Sequence, residues 1–237
     1  NKSLPKLVYD VPEFHNPTGV TLSAERRARL VQLAREYGML VVEDDPYRRI
    51  RFEGNAVPPI QTHDTSGSVI GLGTISKVIA PGLRIGWVIA SPDIIAKMAL
   101  IKSDGGSSAL PQRLILEYAR RGRIAPHIAE AVETYRKHRD VMFEMLPQML
   151  PGASVNKPEG GYYLWVKLPD GIDGDELAAA SAGHGVEILP ARIFYATGGP
   201  KNFVRLAFSF NSIERTVNGM EQLGKAYAEI ARAFVAC

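Results

Sequence analysis

Cysteine occurs once, as Cys237 at the end of the sequence. No internal disulfide can form, and a cysteine-based metal site has no support. Long apolar runs are also missing: nothing approaches the roughly 18 residues that read as a membrane span. The opening, NKSLPKLVYD, lacks the apolar core of a signal peptide. Charge of one sign does not accumulate either. Lys and Arg total 28 against 25 Asp and Glu, a net +3, and the basic residues are scattered except at Arg26-Arg27 and Arg120-Arg121, so no nucleic-acid surface is indicated. The five histidines, His15, His63, His127, His138 and His184, have no metal-ligand spacing. There is no internal repeat. What remains is 237 residues at 46% hydrophobic content, enough for one large domain or two small ones and for a packed core. The expectation is a soluble, globular, cytoplasmic protein.

Along the first hundred residues, short apolar runs alternate with helical patterns, which predicts an α/β layer with a largely parallel sheet. Strands are expected at residues 7–10, 39–44, 68–72 and 85–90, and a helix after Ser23 ends at Gly38. The strand at 39–44 finishes in acids, where a parallel sheet presents its ligands. The small-residue stretch KSDGGSSALP, residues 102–111, reads as a passage between domains, giving 1–103 and 104–237. Beyond it, helices are expected at 112–121 and 126–150. Then follow a strand at 161–168, a helix at 175–182, strands at 187–189 and 203–208, and a helix after Ser212. Trp87 and Trp165 sit in apolar strands and are read as core.

The segment GLGTISKVIAPGLRIGWV, residues 71–88, puts Lys77 among hydroxyls, glycines and apolar residues. A partly desolvated lysine is a usable amine nucleophile. Thr74 and Ser76 add hydroxyl donors, and Arg84 adds a guanidinium suited to phosphate. Taken alone, the same residues read more simply as a surface lysine and an ion-paired arginine. EFHNPTG, residues 13–19, alone reads as turn chemistry around Asn16-Pro17. EDDPYRRI, residues 43–50, places Asp44 three residues before Tyr47. Three consecutive acids at a strand end are costly unless they bind something, or they front a solvated helix start.

In this order and spacing, N-P-T-G, D-x-x-Y, and S-K followed by G-L-R-x-G resemble the pyridoxal phosphate (PLP)-dependent aminotransferases of fold type I, class I/II. That group takes in aminoadipate, kynurenine and aromatic aminotransferases and the aminotransferase-like domains of MocR regulators. EGGYYLWVKLP and FVRLAFSF are similar to its small-domain motifs. The resemblance implies an incomplete large domain with a mostly parallel sheet, followed by a C-terminal α+β small domain. It implies that Lys77 carries PLP as a Schiff base and moves the substrate α proton, and that Asp44 keeps the pyridine nitrogen protonated. Asn16 and Tyr47 would bond the ring's 3′-oxygen. Thr74, Ser76 and Arg84 would take the phosphate, with Thr74 standing where the family more often has Ser. Arg205, which a planar fork suits to two parallel hydrogen bonds, would hold the substrate α-carboxylate, with Asn16 as a second substrate-binding residue; without the resemblance, an arginine paired to a nearby acid is the simpler reading. No metal is expected.

The expected activity moves an amino group from an α-amino acid to a 2-oxo acid in a homodimer with a shared site. A PLP lyase or decarboxylase, or the effector-sensing domain of a MocR-type regulator, uses the same residues. The matched segments belong to the family's latter part. An upstream portion, including a phosphate-binding helix start and a ring-stacking aromatic, is therefore expected to be missing, and these 237 residues alone are expected to turn over little substrate.

Overall fold

The computed structural model describes residues 4–235. By contact they form two compact units, residues up to His15 with Val20–Val132, and Asn16–Gly19 with the chain from Glu133 onward. The small-residue stretch at 102–111 thus lies within the first unit.

The first unit is built on a four-stranded sheet in the order β1 (Leu7–Asp10), β2 (Leu40–Asp45), β3 (Val69–Thr74), β4 (Gly86–Ile89). The first three strands are parallel and β4 is antiparallel to β3. Helix α1 (Ala24–Tyr37) starts where the Ser23 hydroxyl accepts from Arg26 N–H, and stops at Gly38, whose left-handed backbone returns its N–H to Ala34 O. Its inward stripe is Arg27, Val31 and Ala34, the i, i+4, i+7 spacing of one helix face. Val31 and Ala34 pack with Val41, Ile60 and Val69 in one buried cluster. Burying each large aliphatic there is worth about 1.5–3 kcal/mol. Two further helices, α2 (Pro92–Ile101) and α3 (Ala109–Arg120), follow, and α4 (Ile124–Met149) continues into the second unit.

The second unit has an antiparallel sheet in the order β5 (Ser154–Val155), β6 (Tyr163–Lys167), β8 (Phe203–Ala207), β7 (Leu189–Pro190). Leu164 and Val166 alternate inward on β6, as do Val204 and Leu206 on β8. Helix α5 (Gly174–Gly183) contacts both β8 and α6 (Ile213–Val235). The buried Met220, Leu223, Ala226 and Tyr227 give α6 its inward stripe.

Two expectations change. Trp87 is not core: its indole is 48% exposed on β4, because β4 pairs only with β3 among the described residues. Trp165 is only partly buried, on the face of β6 opposite Leu164 and Val166; it stacks on Phe203 at 5.4 Å and meets Phe194 edge-on at 5.6 Å. Helix α2 was not expected at all. Cys237 lies outside the described residues.

Candidate functional site

The first unit gathers its candidates at the carboxyl ends of β2 and β3, where open α/β sheets bind ligands. The three acids ending β2 separate into different roles. Glu43 is 3% exposed; Oε1 accepts from Ile60 N–H at 2.8 Å and Oε2 from Gln61 N–H at 3.0 Å, while Arg48 Nη2 approaches Oε1 at 3.2 Å. Asp45 pairs with Arg48 Nε at 2.7 Å. Desolvation raises the Asp45 pKa despite the pull of Arg48. Both acids are therefore committed to holding the loop that follows. Asp44, between them on the opposite sheet face, accepts a hydrogen bond from the Tyr9 hydroxyl. Tyr47 follows two residues after β2 and is buried at 4% exposure.

On β3, Thr74 Oγ1 and Ser76 Oγ lie 3.0 Å apart. The Thr74 hydroxyl also reaches Ile85 O at 3.1 Å and accepts from Ser76 N–H at 3.1 Å, which fixes the first turn after the strand. In that turn Lys77 is half-buried between Ile75 and Val78, both buried. Arg84 takes a left-handed backbone (φ 53°) at the end of a short 3₁₀ turn, Pro81–Leu83, and its exposed guanidinium reaches Pro81 O at 3.2 Å.

Asn16 and Arg205 belong to the second unit. Arg205 sits at the middle of β8, opposite Trp165 on β6 and Leu189 on β7. Its Nη1 donates to Asn16 Oδ1 at 2.7 Å, and its guanidinium lies 4.1 Å over the Tyr163 ring and 5.1 Å from that of Phe194. The stacked planar cation is held rigidly with its charge intact. The Asn16 loop has its own support. Gly19 is left-handed at φ +70°, and a Cβ there would sit 3.1 Å from Pro158. Pro158 O in turn accepts from the fully buried Arg139 at 2.6 Å.

Three contributors escaped the sequence reading: Tyr9 beside Asp44, and Tyr163 and Phe194 around Arg205. Strand register could have found the first two. Tyr163 is the diagonal neighbour of Arg205 across β6 and β8. A cavity of about 430 Å³ in the first unit opens mainly among Glu43, Asp45, Gly71, Trp87 and Ile89, on the sheet face away from Asp44, and reaches Thr74 at the strand end.

A pyridine ring with a phosphate and an aldehyde needs a carboxylate, a set of hydroxyl and guanidinium donors, and an amine. Asp44, the Thr74 and Ser76 hydroxyls, Arg84 and Lys77 supply that set within one unit. The donor chemistry fits.

The first unit is thus an α/β layer with its candidate donors gathered at the ends of adjacent parallel strands. The family model for aminotransferases of class I and II matches residues 11–218, and the chain belongs to that family. Among its relatives is aromatic-amino-acid aminotransferase 1 of Thermococcus litoralis, 38% identical over 227 residues, covering 94% of this chain and 54% of the relative. The uncharacterized HTH-type transcriptional regulator YdfD of Bacillus subtilis is 31% identical, covering 95% of this chain and 47% of the regulator. The solved Pyrococcus horikoshii kynurenine aminotransferase, in complex with PMP, superposes with a TM-score of 0.90 at 41% identity, covering 95% of this chain and 56% of that one. The chain spans about half the length of these relatives.

Proposed function

We propose that the full-length protein is a PLP-dependent aminotransferase that moves an amino group from an α-amino acid to a 2-oxo acid. The observation that carries this reading is the set Asp44, Thr74, Ser76 and Lys77 at the carboxyl ends of adjacent parallel strands. The PMP bound by the similar kynurenine aminotransferase supports the choice of cofactor. No helix among the described residues is long and apolar enough to cross a membrane; a cytoplasmic location is part of the proposal, as is a homodimer.

PLP, when bound, supplies an electron sink for the charge left when a substrate Cα–H bond breaks. Lys77 Nζ would hold it covalently, and as a free amine the same nitrogen would serve as the base for the substrate α proton. Asp44 would keep the ring nitrogen protonated, an electrostatic role that acts mainly on the barrier. Tyr47 and Asn16 would donate to the 3′-oxygen, and Thr74, Ser76 and Arg84 to the phosphate. Arg205, pre-oriented by Tyr163 and Asn16, would clamp the α-carboxylate and so fix the direction of the Cα–H bond.

The test uses the full-length protein with PLP: record the visible cofactor band, reduce with borohydride, map the adduct by mass spectrometry, then add a panel of amino acids. An adduct on Lys77 and amino-acid-dependent loss of the band are expected. An adduct elsewhere would overturn the site. The similarity to YdfD supports a second reading, an effector-sensing domain. A stable cofactor band that no amino acid converts, with a helix-turn-helix upstream, would establish that reading instead.

A further inference from the structure

Strand register places a further residue beside the proposed cofactor site. In the parallel pair β1 and β2, Tyr9 is opposite Val42. Side chains alternate along a strand and paired residues share a face, so Tyr9, Val42 and Asp44 project to the same side. From there the Tyr9 hydroxyl donates to Asp44 Oδ2.

The chemistry of this donor differs from that at the neighbouring acids. Glu43 and Asp45 share the Arg48 cation, so each has positive charge beside it. Tyr9 is neutral. It can fix the direction of a carboxylate without cancelling the negative charge that a protonated ring nitrogen would pair with. Partial burial, then the bond to Asp44 and the nearby carboxylate charges, hold the phenol far above its ordinary pKa, so it stays a donor at any working pH.

We infer that Tyr9 is a positioning residue for the cofactor: it holds Asp44 through Oδ2 and leaves Oδ1 to the protonated pyridine nitrogen. This rests on the proposed cofactor reading. Tyr9 touches Asp44 and is 58% exposed, so removing its hydroxyl leaves the core intact.

The experiment compares wild type, Tyr9→Phe and Asp44→Asn in the full-length protein. Each is titrated with PLP and with 1-deaza-PLP, in which a carbon replaces the ring nitrogen. Tyr9→Phe is expected to weaken PLP about tenfold while leaving the deaza analogue within about twofold, as one charge-assisted hydrogen bond to the nitrogen's partner predicts. A general packing role would weaken both alike. Equal loss for the two ligands, or no loss of PLP affinity beside a clear loss in Asp44→Asn, overturns the role of Tyr9 alone. A wild type that does not bind PLP, or an Asp44→Asn variant that binds it as tightly as wild type, overturns the cofactor reading and this inference with it.

Discussion

Arg27 and Glu13 lie 3.0 Å apart with both side chains sealed from solvent, and Arg51 meets the other Glu13 oxygen at 2.7 Å. Arg27 also donates to Leu22 O, Pro58 O and Pro12 O. The buried guanidinium thus ties three loop segments to α1. Taking one partner from such a network leaves an uncompensated charge in a low-dielectric interior. Glu13→Ala is expected to cost about 3–5 kcal/mol of stability, and the paired replacement Glu13→Leu with Arg27→Met markedly less than the two single costs added. Urea denaturation measures both; a single-variant cost under about 1 kcal/mol would sink the assignment.

Two glycines should respond in opposite directions to the same change. A Cβ on Gly174 would stand 2.7 Å from Phe203 O and 2.9 Å from Lys201 O, both backbone. Gly174→Ala therefore forces α5 off β8, an overpacking cost of about 1–3 kcal/mol. Gly219, inside α6, has nothing within 4 Å of its Cβ position. Gly219→Ala should stabilise by about 0.5–1 kcal/mol through helix propensity. Thermal melts of the two variants decide the matter, and equal shifts would contradict the packing described.

Acid should act on the turn before β3. Desolvation pushes the Asp64 carboxyl up, but bonds from Ser66 N–H and hydroxyl, Val69 N–H and the Ser68 hydroxyl outweigh it and hold its pKa below the ordinary value. A depressed carboxylate pKa contributes stability that is present above the unfolded value, about 3.9, and is lost as pH falls through the folded one. Asp64→Asn should lower stability at neutral pH and flatten the acid limb of the stability curve below about pH 4. Denaturation midpoints across pH 2–7 are the measurement; parallel curves would refute it.

Arg205→Lys keeps the charge but loses the fork and the stack on Tyr163. If Arg205 clamps the substrate carboxylate as proposed, kcat/KM should fall about 100-fold, chiefly through the lost second hydrogen bond and orientation. Steady-state kinetics on the full-length protein test this, and a loss under about threefold would move the clamp elsewhere.

Much of this was legible in the sequence because periodicity and caps point to the same elements. Ser23 and Gly38 bracket α1 as expected, and the acids at the end of β2 stand at the predicted strand end. Helix α2 was not legible: Ile94, Ile95, Met98, Leu100 and Ile101 surround it without a polar face, so no stripe appears, although Ser91-Pro92 is a good helix start. Pro111 read as loop, yet it lies in the first turn of α3, where its missing N–H costs nothing. Within EDDP, composition could not tell the three acids apart. Alternation along β2 does so, sending Glu43 inward to backbone N–H groups and Asp44 to the other face.

The four residues Asn16–Gly19 sort with the second unit although their chain neighbours on both sides sort with the first. Neither unit is therefore a continuous stretch of polypeptide. A fragment cut at 132 would carry Arg205 away without the amide that accepts its hydrogen bond. A break at residue 132 therefore parts Arg205 from its hydrogen-bond partner unless the Asn-Pro-Thr-Gly segment travels with the second unit.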